Sequence, residues 1–321
     1  MSATAIILAA GQSKRMKSAR PKPLHEVCGK PMLDHIFRAC YDAGCTKLIV
    51  VVGHGKEEII ARFGDDERIH WVEQTERLGT GHAVRVCEPE LKKLGATSDV
   101  FVLAGDGPLI RGEVLRTLRQ AMHDDKAHAA LATAVIDDAT GYGRIVRDEA
   151  GEFVAIVEHA DASAEQREVR EVFPSYYVFR AEDLLSGVAM LKPNNKQGEY
   201  YLTDVYALLR KEGRRVVAVQ AVPAEDVLSV NTRQQLADVD LLLQDRIHRM
   251  HREAGVTIVN SAVTYIEAGV SIGADTVIHP FTHIGSDSSI GDNCVIGPFA
   301  CLPRESLVPD GTSVANNACK D

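Results

Sequence analysis

Nine aliphatic residues recur at an unbroken spacing of six along this 321-residue chain: Ile266, Ile272, Ile278, Ile284, Ile290, Ile296, Leu302, Val308 and Val314. Two positions before each stands a small or β-branched residue, in order Thr264, Val270, Thr276, Thr282, Ser288, Cys294, Ala300, Ser306 and Thr312. Glycine follows the aliphatic at Gly273, Gly285, Gly291 and Gly297. Such a rhythm requires short flat faces joined by tight turns, with the aliphatic side chain stacked inward in each coil. Chance does not sustain it over nine repeats. At three hexads per triangular coil, the segment makes about three coils.

Upstream the period changes. Continuous apolar runs at 5–10, 48–52, 100–104, 129–135 and 216–219 alternate with helical patterns such as 31–44 and 112–123. Runs without polar alternation predict strands buried on both faces. The expected fold class is therefore α/β, a doubly wound, mostly parallel sheet whose ligands bind at the carboxyl ends of its strands. Residues 142–180 differ: short strands at 143–146 and 153–157 predict a β-rich insertion able to fold over a substrate. Residues 232–253 read as one helix, with Leu236, Val239, Leu242, Leu243 and Ile247 at three- and four-residue spacings and Gly255 as its stop. His248 and His251 fall at i, i+3 on it; with no third ligand in view they are read as a solvated face rather than a metal pair.

A net charge of −9 argues against nucleic acid or an anionic membrane as the main partner. No apolar run approaches the ~20 residues of a membrane span, and residues 1–10 show no cationic leader. The seven cysteines (Cys28, Cys40, Cys45, Cys87, Cys294, Cys301 and Cys319) are scattered without a C-x-x-C pair. That pattern predicts reduced, mostly buried thiols in a cytoplasmic protein.

Within this acidic chain the run from Ile7 to Met32 is locally basic. A buried strand opens into Gly11, followed by Lys14, Arg15, Lys17, Arg20 and Lys22. Gly11 lets the backbone approach a phosphate, and Arg15 and Lys22 are charge-assisted donors for its oxygens. It is neither a P-loop nor a dinucleotide fingerprint, since both glycine patterns are absent. Further on, Gln74 precedes Gly79-Thr80-Gly81. Its amide offers the donor and acceptor a pyrimidine edge needs, the glycines let a base lie against the backbone, and Thr80 is placed to cap a helix. Asp106 ends an apolar strand in Gly105-Asp106-Gly107-Pro108. Beside phosphates it would be a hard-oxygen ligand for Mg²⁺; taken alone, an Asp in a type I turn before Pro108 is the plainer reading.

These segments resemble the signature of sugar-phosphate nucleotidyltransferases, A-A-G-x-G-T-R-M followed by P-K. With L-H-E-V-C-G-K-P-M, L-G-T-G-H-A and G-D-x-P-L, the chain is similar to the bacterial bifunctional N-acetylglucosamine-1-phosphate uridyltransferase and glucosamine-1-phosphate acetyltransferase family. The hexads resemble that family's left-handed parallel β-helix, so the likeness spans the whole chain. It implies a nucleotidyltransferase domain at 1–230, a connecting helix at 231–255 and a short left-handed β-helix at 256–321. It further implies a cytoplasmic enzyme of cell wall biogenesis that makes a UDP-sugar and pyrophosphate from UTP and a sugar 1-phosphate, with Mg²⁺, as a homotrimer. Arg15 and Lys22 become catalytic, and Leu8, Ala9, Ala10, Gly11, Gln74, Gly79 and Thr80 nucleotide-binding. Gly143, Glu158, Phe173 and Thr203 become sugar-binding. Asp106 and Asn231 become the metal ligands, Asn231 having N-capping of the long helix as its bland alternative.

Two departures qualify the resemblance. Ser13 replaces the signature's second glycine, a tolerable change if its φ is negative. The family follows Glu-(Ile/Val) with Asn-(Ser/Thr)-Gly, whose Asn touches the sugar; here Glu171-Val172 is followed by Phe173-Pro174-Ser175. Phe173 cannot supply an amide, and sites that select by hydrogen bonds discriminate less when a partner is missing. A uridylyl- or thymidylyltransferase for a plain hexose 1-phosphate is therefore the first alternative. A non-catalytic nucleotide-sugar-binding regulator is the second, against which Arg15, Lys22, Asp106 and Asn231 together argue. The family's acetyltransferase histidine and coenzyme segments would follow the last hexads, so the expectation for these 321 residues is no acetyl transfer.

Overall fold

The computed structural model describes residues 3–12 and 14–315; Ser13 and Cys319 lie outside the described residues. The chain forms two compact units, one of residues 1–24 with 33–229 and one of residues 25–32 with 230–321. Residues 25–32, assigned from sequence to the first domain, thus belong to the second unit.

The first unit is built on one sheet. Its strands are β1 (Ala3–Leu8), β2 (Cys45–Val52), β3 (Ile69–Glu73), β4 (Asp99–Ala104), β5 (Ala129–Val135), β6 (Gly143–Arg147), β7 (Phe153–Val157), β8 (Glu171–Phe173), β9 (Tyr176–Arg180) and β10 (Val216–Gln220). Their order is β3-β2-β1-β4-β9-β5-β8-β6-β7, with β10 also on β5. The pairings of β1 with β2 and β4, of β2 with β3 and of β5 with β10 are parallel. Alternate residues of β1 serve opposite faces. Ala5 and Ile7 join a core with Leu33, Ile36 and Phe37 of the helix Met32–Asp42 and with Leu115 and Leu118 of Gly112–Asp124. Ile6 joins the opposite core with Val84, Leu184, Val205 and Tyr206. Helices cover both faces, which is why the strands read as continuous apolar runs.

The expected insertion at 142–180 is not separate. β8 joins β5 to β6, extending the same sheet. β9 lies in the middle, antiparallel to β4 and β5. Its first four residues are all buried, and Tyr177 and Phe179 stack with Tyr206.

The second unit holds the repeats. Two-residue strands make three parallel faces, stacking Ile258, Ile278, Ile296 and Val314 on one, Ile266, Ile284 and Leu302 on another, and Ile272, Ile290 and Val308 on the third. This is the left-handed parallel β-helix of the hexapeptide repeat. The hexad begins one face earlier than the sequence suggested, at Ile258; a 3-10 turn at Ser261–Val263 makes the step to Ile266 eight residues instead of six. A second rhythm accompanies it: from Ile272 on, the residue three before each aliphatic is left-handed, namely Gly269, Asp275, Phe281, Asp287, Asn293, Phe299, Glu305 and Gly311. Those are the corners of the coils.

The long helix is Arg233–Glu253, which we label α1. Gln244 reaches from it to the edge of the first coil, accepting from the Ile266 N–H at 3.1 Å and donating to its carbonyl at 2.6 Å. One amide thus satisfies both exposed groups of an edge strand. The same helix face corrects the histidine reading, because His248 and His251 are each only 3% exposed. Among the cysteines, Cys28, Cys40, Cys45, Cys87 and Cys294 are free and buried as expected, but Cys301 is disulfide-bonded.

Candidate active site

Strand ends create the site. β1 and β4 are parallel neighbours, and their carboxyl ends continue into 9–11 and 105–107. Gly105 N–H donates to the Leu8 carbonyl at 2.9 Å, and a Cβ there would sit 2.8 Å from that oxygen. This glycine lets the two turns leave the sheet side by side. Ala9 N–H is held by the Val51 carbonyl at 2.8 Å, and Gln74 N–H by Val52 at 2.8 Å. Three crossovers therefore open into one cleft, as expected of a doubly wound sheet.

That cleft has a cavity volume of about 320 Å³. Leu8, Ala9, Ala10, Gly11, Gln74, Gly79, Thr80, Lys22 and Asp106 all line it. A Cβ at Gly11 would meet nothing within 4 Å, so packing does not demand that glycine. Gln74 is 5% exposed, and its NH₂ group donates to the Gly79 carbonyl at 3.3 Å and faces His82 Nδ1 at 3.1 Å. Its donor is thus committed within the protein, leaving the amide oxygen to offer. Lys22 Nζ donates to Asp106 Oδ2 at 2.6 Å, pairing a cation of the cleft with a carboxylate. Arg15 is not among the lining residues; it stands exposed on a 3-10 turn, Lys14–Met16.

The glycine loop differs in detail from its reading. Gly79 occupies the N-cap of the helix Thr80–Arg85 with φ 104°, and Thr80 is the first helical residue. The Thr80 hydroxyl instead accepts from Leu202 N–H at 3.0 Å. Gly81 lines no part of the cavity; a Cβ there would strike Leu191 at 2.3 Å. Its N–H donates to the Tyr200 carbonyl at 2.7 Å, so it packs the loop against residues 199–202.

A second cavity of about 260 Å³ lies in the same unit, lined by Asp106, Tyr142, Gly143, Glu158, Phe173 and Ser175 among others. Burial raises the Glu158 carboxyl pKa, and Asp204 and Asp161 add to the rise, while the Thr203 hydroxyl, donating to Oε1 at 3.0 Å, opposes it. Thr203 is 4% exposed and reaches the cavity only through Glu158. The Phe173 ring is 4% exposed and meets Tyr177 edge-on at 4.6 Å. It belongs to an aromatic cluster with Tyr206, so its side chain brings no polar group to the cavity. Asn231 opens the second unit just before α1. Capping there falls to Thr232, whose side chain accepts from Gln235 N–H, while Asn231 N–H donates to Gln235 Oε1 at 2.8 Å.

Arg77, Ser175, Tyr177 and Glu199 line the first cavity without having been singled out. Arg77 lies between Gln74 and Gly79, so its signal was available. Ser175 and Tyr177 needed the position of β9.

Residues 5–185, more than half the chain, match the model of the MobA-like NTP transferase domain. The chain belongs to that family. Residues 269–304 match the bacterial transferase hexapeptide, six repeats. A protein named bifunctional protein GlmU from Heliobacterium modesticaldum is 44% identical over 279 residues, covering 87% of this chain and 60% of its own length. Its namesake from Brevibacillus brevis is 45% identical over 276 residues, covering 86% and 59%. The chain thus spans about three-fifths of the length of these relatives. A solved structure of UDP-glucose pyrophosphorylase complexed with UDP-glucose superposes with a TM-score of 0.63 at 19% identity, covering 77% of this chain and all of that one. At that identity the likeness shows the fold alone.

Proposed function

We propose that the chain is a Mg²⁺-dependent uridylyltransferase that joins UTP and a sugar 1-phosphate into a UDP-sugar and pyrophosphate, with N-acetylglucosamine 1-phosphate as the sugar. One observation carries the reading: Leu8 to Gly11, Lys22, Gln74, Gly79, Thr80 and Asp106 share one cleft at the carboxyl ends of parallel strands. The relatives named bifunctional GlmU support it.

The uracil would lie by Gln74, Gly79 and Thr80, and the phosphates between the 9–11 turn and Lys22. A sugar-phosphate oxygen attacks the α-phosphorus; that P–O bond forms as the bond to the β-phosphate bridging oxygen breaks, and pyrophosphate leaves. No protein nucleophile is needed, so the protein acts by positioning and charge neutralisation. Lys22, and Arg15 from the basic loop, offset charge on the phosphate oxygens. Among the described residues no group of three or more His, Cys, Asp or Glu forms a preformed metal cage. The part-exposed Asp106 carboxylate suits Mg²⁺ nonetheless, since that ion binds through one or two protein oxygens plus substrate phosphates. Asp106 is the residue of the first unit proposed to hold it. Bound there, the ion supplies charge neutralisation at phosphate oxygens.

A second reading, transfer to a plain hexose 1-phosphate, is favoured by the burial of the Phe173 ring where an amide would read an N-acetyl group. Pyrophosphate release from UTP with a panel of sugar 1-phosphates tests both. No release with any sugar would sink the transferase reading, and equal kcat/KM for glucose and N-acetylglucosamine 1-phosphates would favour the second. Coenzyme A release from acetyl-coenzyme A and glucosamine 1-phosphate tests the expectation of no acetyl transfer. We further propose a cytoplasmic homotrimer. No helix among the described residues is long and apolar enough to cross a membrane. Phe281, Phe299 and Leu307 are exposed on the solenoid, as an association surface would require. A monomer mass by light scattering at micromolar concentration would refute the assembly.

A further inference from the structure

Asp106 and Ser175 are the two polar side chains that line both of the cavities described above. Ser175 bridges β8 and β9 with φ 67°, left-handed backbone that non-glycine residues seldom adopt. It is the only non-glycine residue with positive φ among those lining either cavity. Strain retained at a cavity wall is an observation from which a functional role can be argued. Tyr177, two residues on, is buried and also lines the first cavity beside it. Phe173, two residues earlier, gives only ring and backbone to the same wall.

We propose that Ser175 is a specificity-determining residue whose hydroxyl hydrogen-bonds the substituent on carbon 2 of the sugar. The proposal rests on the uridylyltransferase reading. If the sugar phosphate lies by Lys22 where it meets Asp106, a residue of the wall the cavities share, the sugar ring extends into the cavity of Gly143 and Glu158. The carbon next to the anomeric carbon then lies nearest the shared wall. Its substituent is the part of the sugar within reach of Ser175.

The test is steady-state kinetics of wild type, Ser175→Ala and Ser175→Gly, with N-acetylglucosamine, glucose and 2-deoxyglucose 1-phosphates as substrates or competitors. Alanine removes the hydroxyl and keeps the strained backbone; glycine removes both. Both variants should raise the KM for the sugar 1-phosphate about five- to tenfold, the worth of one hydrogen bond, with the KM for UTP within about twofold. Both should also lose the wild-type preference for glucose over 2-deoxyglucose 1-phosphate. Ser175→Gly should unfold at no lower temperature than Ser175→Ala, because glycine accepts this φ. An active wild type whose variants keep the sugar KM, or keep the discrimination at carbon 2, would overturn this assignment alone. A wild type inactive with UTP and every sugar 1-phosphate would overturn the transferase reading and this one with it.

Discussion

The two units encode structure differently. In the solenoid each coil repeats the chemistry of the last, and the inward aliphatics Ile266, Ile278, Ile284 and Ile296 are fully buried. The α/β unit has no such redundancy: its site is assembled from turns after β1, β3 and β4 that are distant in sequence. A substitution in the solenoid should therefore cost stability, and one in the cleft should cost turnover at little cost to the fold.

The sharpest way to break that contrast is Asp106→Ala. Asp106 is part-exposed and closes no core. Loss of a preorganised charged group at the phosphates should lower kcat by about 10³-fold, with the melting temperature nearly unchanged. Near-normal turnover, or a collapsed fold, would remove Asp106 from its role. The counterpart is Ile284→Ala, which empties a site 0% exposed between Ile266 and Leu302. Deletion of that side chain should cost about 2–4 kcal/mol in denaturant unfolding of the second unit. A cost under about 1 kcal/mol would mean the coils do not depend on inward stacking.

How much of this was legible follows the same division. The hexad positions mark each two-residue strand of the repeat from Tyr265 on because each aliphatic has one job. The apolar runs mark β1, β2, β4, β5 and β10 because helices cover both faces. β9 was missed as a central strand because Tyr176 to Phe179 is short and follows Pro174 in a stretch of short strands. The histidines were misread because α1 buries polar groups, Gln244 with a backbone partner and His248 and His251 each 3% exposed, where hydropathy marks a solvent face. Seven proposed nucleotide residues line one cavity because they come from two short loops at the carboxyl ends of strands; Phe173 lines the second cavity, and the aromatic cluster that packs its ring is visible only in three dimensions.

Acid should separate the units further. Burial holds the pKa of His248 and of His251 below its ordinary 6.5; Arg252 adds to the shift at His248, and His248 adds to that at His251. In the unfolded chain both would protonate near 6.5. The folded state therefore binds fewer protons, and stability present above pH 6.5 is lost as pH falls toward the depressed values. Burial raises the Glu158 pKa, so that group favours the folded first unit as pH falls. Denaturant midpoints followed separately for the two units from pH 7.5 to 5.5 should drop more for the second, and His248→Asn with His251→Asn should flatten its slope. Equal slopes in the wild type would contradict this origin.

The smallest expected effect tests the corners of the coils. Glu305 is exposed with φ 62°, and Gly311, one coil corner further on, has φ 67° and open space where a Cβ would project. A left-handed conformation costs a non-glycine residue about 1–2 kcal/mol. Glycine loses about 0.5–1 kcal/mol more chain entropy on folding. The two partly cancel, so Glu305→Gly should stabilise the second unit by up to about 1 kcal/mol. Gly311→Ala should destabilise it by a similar amount, with no clash to confuse the result. Opposite signs at two equivalent corners would show that backbone conformation alone sets the cost. If both substitutions shift the denaturant midpoint the same way, side-chain contacts at the corners outweigh the backbone, and the repeat is less uniform than its spacing.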